Sequence, residues 1–215
     1  LMRRGVDIKD RWQIQHASEQ VEMNELPSSA LRNKKDSSMR VAINLVKEGQ
    51  VDACVSAGNT GALMAMAKLT LRTLPGIDRP AIAAIFPTIR GESVMLDLGA
   101  NVECDAENLV QFAIMGDVFA RTVLGTVDPT CGLLNVGSEE MKGHAEIQQA
   151  SATLREMGDA FSFHGFVEGD DIAAGTTDII VSDGFTGNIA LKTTEGTARL
   201  IKEFLGDAFR SSLSS

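Results

Sequence analysis

Val51-Asp52-Ala53-Cys54-Val55-Ser56-Ala57-Gly58-Asn59-Thr60-Gly61-Ala62-Leu63-Met64 reads as a short buried strand, a glycine turn and a helix opening near Ala62. A helix start leaves amide N–H groups without intrahelical partners, so such a turn offers donors to an anion. The same grammar recurs in Leu96-Asp97-Leu98-Gly99-Ala100-Asn101, in Leu134-Asn135-Val136-Gly137-Ser138, and in Val181-Ser182-Asp183-Gly184-Phe185-Thr186-Gly187-Asn188. Each apolar run ends in Gly with Ser, Thr, Asn or Asp. Ligands of open α/β sheets sit beyond the carboxyl ends of strands, so these turns together predict a polar site.

Outward from that stretch, apolar periodicity sets the elements. A strand at 12–16, a loop at 19–24 and a turn at 27–30 are expected first. Met39, Ala42, Ile43 and Val46 recur at helical spacing, after a cap at Asp36 or Ser37 and before a stop at Gly49. Beyond the helix to about Arg72, strands are expected at 81–86 and 93–98. The link between them is too short for a crossover helix, so they pair antiparallel. Helices at 106–124, 144–157 and 189–205 and a helical turn at 170–174 alternate with strands at 132–136, 161–167 and 178–181. The 106–124 helix carries an apolar surface wide enough for deep burial or a subunit contact. Alternation predicts a three-layer α/β/α fold with a mainly parallel sheet and one short antiparallel pair.

Composition bounds the function classes. At 215 residues, 44% apolar and 23% charged, the chain reads as an ordinary globular protein. A net charge of −9 disfavours a broad nucleic-acid face, although Arg32-Asn33-Lys34-Lys35 is locally basic. Three scattered cysteines give neither a disulfide framework nor a Cys-rich zinc site. His16, His144 and His164 lie too far apart for a metal site, so no metal and no cofactor are expected. Neither a dinucleotide fingerprint nor a Walker A loop is present, and no nucleophile elbow. Positioning and electrostatic stabilisation are left as the main catalytic means.

The candidate donors are Ser56, Gly58, Asn59, Thr60 and Gly61, joined by Asn101, Gly137, Asp183, Gly184, Thr186 and Gly187 in the other turns. Lys142, in the loop between a strand end and the next helix, can bring an ammonium to a phosphate or oxyanion. Glu139 and Glu140 either orient it or make the loop an ordinary solvated surface. Asn188, at the start of the last long helix, can aim an amide into the same cleft, while Asp183 or Thr186 caps that helix.

Several stretches, in this order along the chain, closely resemble the PlsX family of bacterial phosphate acyltransferases. They are Arg32-Asn33-Lys34-Lys35-Asp36-Ser37-Ser38-Met39, Ser56 to Ala62, Gly76-Ile77-Asp78-Arg79-Pro80, Asp97 to Asn101, Asn135 to Glu139 with Lys142-Gly143, and Ser182 to Asn188. The resemblance implies transfer of a long-chain acyl group from acyl carrier protein to inorganic phosphate, giving the acyl phosphate used in phospholipid synthesis. It implies an isocitrate/isopropylmalate dehydrogenase-like fold, a homodimer, and a cytoplasmic location with peripheral membrane association. A glycerol-3-phosphate acyltransferase would be the partner that uses the product. Lys142 and Asn188 match the family's catalytic pair, and the Gly58–Gly61 turn its phosphate or substrate contact. Asp36 and His144 stand where many members carry Asn. Residues 1–215 are expected to form a single α/β catalytic domain, a core portion of a family-length chain. The alternatives are a phosphotransacetylase-like enzyme using acyl coenzyme A and a non-catalytic ligand-binding relative.

Overall fold

A computed structural model describes residues 12–213. The chain divides after Thr73 into two compact units. The first holds three helices, α1 (Pro27–Asn33), α2 (Ser38–Lys47) and α3 (Thr60–Leu71). Ser37 caps α2 by accepting from the Arg40 amide at 3.3 Å, and Gly49 ends that segment at a φ of +69°. Met39 and Ile43 of α2 meet Ala62 and Met66 of α3 and Ala30 of α1 in one apolar cluster.

Three expectations fail in this unit. Residues 27–30 are not a turn but open α1, with Pro27 in the first helical turn, where its missing N–H costs nothing. Neither 51–56 nor 12–16 forms a strand; the bridge between Glu19 and Ser37 is the one ladder contact recorded among the described residues of this unit. Val55 is 98% exposed and Ile14 76% exposed, so the alternation there has no buried face to fill. A strand needs a paired neighbour, and the helices of this unit offer none.

In the second unit, β1 (Ala84–Thr88) and β2 (Gly91–Leu96) form the expected hairpin across Ile89-Arg90. Strand β1 continues through Pro87 because it lies at the sheet edge, where a missing amide breaks no inner ladder. Helix α4 (Ala106–Phe119) runs into a π-helical turn, Ala120–Leu124, that stops at Gly125. Then come β3 (Cys131–Leu134), α5 (Ala145–Glu156), β4 (Phe163–Val167), α6 (Gly169–Ala174), β5 (Ile179–Val181) and α7 (Gly184–Leu213). The strand order is β1-β2-β5-β3-β4, parallel throughout except for the hairpin.

Period-two burial makes the layers. Val94, Leu96, Leu133, Ile179 and Val181 pack against Leu109, Phe112 and Ala113 of α4 and Ala150 and Leu154 of α5. Their neighbours Met95, Leu134 and Ile180 pack on the other side with Ile172 of α6 and Ala190 and Leu191 of α7. Strands covered on both faces read as continuous apolar runs, as Val94-Met95-Leu96 and Ile179-Ile180-Val181 do. Most of the apolar face of this helical segment lies in the core, while Val118 and Val123 stay more than half exposed. The fold is α/β with a mostly parallel sheet and one antiparallel pair, as expected.

Candidate functional site

Strands β2, β5 and β3 are neighbours and parallel, so the loops that leave them lie at one edge of the sheet. Asp97, immediately after β2, is fully buried, and its carboxylate accepts from the amides of Ile82, Gly99, Ala100 and Asn101 and from Asn101 Nδ2. A buried carboxylate is tolerated when its lone pairs are filled in this way. It fixes the Gly99–Asn101 loop. Asn101 Nδ2 also donates to the Pro80 carbonyl at 2.8 Å, so both of its protons are engaged inside the protein.

The β5 loop docks on this one. Gly184 N–H donates to the Asn101 carbonyl at 2.7 Å, and a Cβ on Gly184 would lie 2.6 Å from that oxygen. Asp183 caps α7, accepting from the Thr186 amide at 2.9 Å and its hydroxyl at 2.7 Å. One turn along, Asn188 is exposed at the Gly99 loop; a Cβ on Gly99 would lie 3.6 Å from its side chain. Asn101, Asp183, Gly184, Thr186, Gly187 and Asn188 therefore come together.

Lys142 is held on the loop after β3. Asn135 Nδ2 donates to the Lys142 carbonyl at 3.1 Å, and Gln148 Nε2 reaches the carbonyls of Met141 and Gly143. Gly143, at a φ of +87°, turns the chain so tightly that a Cβ there would overlap Asn135. The Lys142 stem lies over Gly137, and its ammonium is 3.6 Å from a Glu139 carboxylate oxygen. Both side chains are at least half exposed, so the pair is worth about 0–1 kcal/mol and leaves the ammonium free to turn to an anion. Lys142 and Asn188 thus follow the carboxyl ends of adjacent parallel strands.

The Ser56–Gly61 turn belongs to the first unit. Gly58 N–H donates to Ser56 Oγ. Asn59 caps α3 through Oδ1, and its Nδ2 donates to the carbonyls of Glu22, Met23 and Glu25. That side chain is committed to the fold. What the turn keeps for an anion is the Thr60 and Gly61 amides, which precede the first intrahelical donor.

Within the second unit a cavity of about 700 Å³ opens beside α4 and the starts of α5 and α7. Arg79 and His144 line it with the carboxyl groups of Glu103, Asp105, Glu146 and Asp183. Cys104 also lines it, and burial pushes its thiol up to about 11, which suits a neutral wall rather than a nucleophile. Among the described residues no group of His, Cys, Asp and Glu could hold a metal ion. Asn135, quoted above within a strand-end turn, shapes the Lys142 loop, a role the sequence did not specify, and Asn108 of α4, not singled out from the sequence, lines the cavity. Asn135 follows an apolar run directly, which was the available signal; Asn108 sits inside a helix and gave none.

Several curated proteins are similar to this chain in sequence. The phosphate acyltransferase of Rhodospirillum centenum is 66% identical over 200 residues, covering 93% of this chain and 56% of that protein. Those of Paramagnetospirillum magneticum and Methylococcus capsulatus are 56% and 59% identical, over 99% and 95% of this chain and 61% and 60% of theirs. The chain thus spans well under two thirds of the length of these relatives. In fold it is similar to a phosphotransacetylase from Streptococcus pyogenes (TM-score 0.62, 18% identity, 77% of this chain and 56% of that one). It also resembles the EutD phosphotransacetylase from Staphylococcus aureus (TM-score 0.61, 16% identity, 92% and 70%). The family model described as fatty acid synthesis protein matches residues 1–215. Matched over its whole length, the chain belongs to the fatty acid synthesis protein family, the PlsX phosphate acyltransferases that its motifs resemble.

Proposed function

We propose that the protein transfers a long-chain acyl group from acyl carrier protein to inorganic phosphate, forming an acyl phosphate for phospholipid synthesis. The observation that carries this is Lys142 and Asn188 at the ends of neighbouring strands β3 and β5, in a chain 66% identical to a protein named phosphate acyltransferase. A phosphate oxygen attacks the thioester carbonyl, the carbonyl oxygen takes up negative charge, and collapse breaks the C–S bond. The carrier's thiolate leaves and takes a proton from solvent. Phosphate is itself an adequate nucleophile, so the protein's part is to place it and to stabilise the developing charge.

In this reading Lys142 and the Asn188 amide stabilise the phosphate or the oxyanion. In the second unit the turns at Gly137, Asp183, Gly184 and Gly187 contribute phosphate contacts; in the first, the Thr60 and Gly61 amides are the ones left open to an anion. Asn101 builds the site through its neighbours rather than by donating directly. The basic stretch Arg32 to Lys35, with Arg32 and Lys35 exposed, docks the acidic carrier. Residues 1–215 are read as the catalytic core, working as a homodimer in the cytoplasm, peripherally at the membrane, with a glycerol-3-phosphate acyltransferase using the product. No helix among the described residues is long and apolar enough to cross a membrane.

The test is direct. The full chain is mixed with long-chain acyl carrier thioester and phosphate, and acyl phosphate is measured by hydroxylamine trapping. Phosphate-dependent acyl phosphate is the expected result. Turnover of acyl coenzyme A alone would move the reading to a phosphotransacetylase, and binding without turnover would make the protein a non-catalytic relative.

A further inference from the structure

Three consecutive carbonyls of the Lys142 loop converge on one side-chain amide. Gln148 Nε2 lies 3.0 Å from the Met141 carbonyl oxygen, 3.2 Å from that of Gly143 and 3.4 Å from that of Lys142. Carbonyl oxygens gathered in this way need donors between them, and an amide NH2 brings two protons to the set. The Lys142 carbonyl also accepts from Asn135 Nδ2, so it is held from the end of β3 and from α5. Residues 135–144 form neither helix nor strand, and Met141 is 85% exposed. The position of this loop therefore depends on such bonds rather than on a ladder or on burial.

The direction of the bonds is informative. A side chain serving α5 would accept from the open amides of its first turn, and His144 at the N-cap makes no such bond. Gln148 instead donates backward, to carbonyls that precede the helix. Its own footing is firm, because Ala150 and Leu154 of the same helix are fully buried and Ile147 packs on their cluster. The clamp ties the loop to the core through a rigid element, the arrangement that holds a functional group in place. The Lys142 side chain is half exposed and weakly paired, so the placement of its backbone decides what the ammonium reaches.

We infer that Gln148 is a positioning residue for Lys142, fixing from α5 the backbone that presents the ammonium. The inference rests on the reading above in which Lys142 stabilises the phosphate or the oxyanion.

Gln148→Met keeps the length and the helix propensity and removes the donor. Gln148→Asn keeps the amide but withdraws it by one methylene. In the full chain, with the melting temperature unchanged, both lower the rate of acyl phosphate formation about ten- to hundredfold, the scale on which misplacing a group acts. A double-mutant cycle separates positioning from a merely structural role. In the Lys142→Ala background the same substitutions change the rate by less than about twofold, because no ammonium is left to place. Hydrogen exchange of the amides at 136–143 quickens in Gln148→Met. An unchanged rate in both variants, an equal fall with and without Lys142, or unchanged exchange in the loop overturns the inference. Near-parental turnover of Lys142→Ala overturns it as well, while acyl transfer stands. A parent chain that forms no acyl phosphate sinks the reaction instead. The cycle is then read on the affinity for inorganic phosphate by isothermal titration. There, a Gln148 effect that vanishes without Lys142 supports the positioning, and an absent or persistent effect overturns it.

Discussion

Gly187 stands so close to Asp97 that a Cβ on it would overlap the Asp97 carbonyl oxygen, and the same atom would lie 2.6 Å from Ser182 Oγ. Helix α7 can start where it does only because this residue has no side chain. Gly187→Ala must push α7 away from the β2 loop, an overpacking cost of about 1–3 kcal/mol. Urea unfolding is expected to show that loss. Acyl phosphate formation falls with it, because Asn188 is the next residue. An alanine variant as stable and active as the parent would refute the close packing.

Lys142→Ala separates chemistry from folding. The side chain is half exposed and its ion pair with Glu139 is weak, so the melting temperature should hold. The rate constant for acyl transfer is expected to drop about 10²- to 10³-fold, the scale of a lost oxyanion donor. Near-parental turnover in the folded variant would remove Lys142 from the reaction.

Asp97→Ala leaves at least the amides of Ile82, Gly99, Ala100 and Asn101 without their acceptor. The expected cost is about 3 kcal/mol or more, since several buried donors lose a charged partner. Asp97→Asn keeps the shape and one acceptor oxygen, and should fall between the two. Chemical denaturation of the three proteins orders them.

Acid stability should carry a signature of Asp171. The Thr176 hydroxyl and the Glu168 amide hold its carboxyl below the ordinary 3.8. A depressed folded pKa gives stability that is complete above the unfolded value and is lost as pH falls through the folded one. The contribution is therefore present at neutral pH and disappears below about pH 4. Asp36, held low by the Ser18 hydroxyl and amide, acts in the same direction in the first unit. Asp171→Asn should lower stability at pH 7 and flatten its decline below pH 4, as read from melting temperatures across that range.

The second unit was legible because its strands are buried on both faces. Val94 to Leu96 and Ile179 to Val181 cannot be solvated, so their apolar runs announce strands, and the short link at Pro87 to Ser93 announces a hairpin. The run at Val51 to Val55 has the same letters without a sheet to join, and local composition does not carry that distinction. The start of α1 was missed, because Pro27 suits a turn and the first turn of a helix alike. Lys142 and Asn188 were legible as polar residues beyond strand ends. The commitment of Asn59 and Asn101 to backbone carbonyls was not, because their partners lie 34 to 37 and 21 residues away.

Helix α7 runs for 30 residues, about 45 Å, whereas the strands beside it have at most six residues, about 20 Å. Ala190 and Leu191 anchor it on the sheet, while Leu200, Ile201, Phe204 and Leu205 are each about half exposed or more. Gly196 and Gly206 further loosen the distal turns, each by about 1 kcal/mol relative to alanine. Burial therefore grades along a continuous rod: the end that carries Asn188 is packed on the sheet, and the distal turns among the described residues turn apolar side chains to solvent.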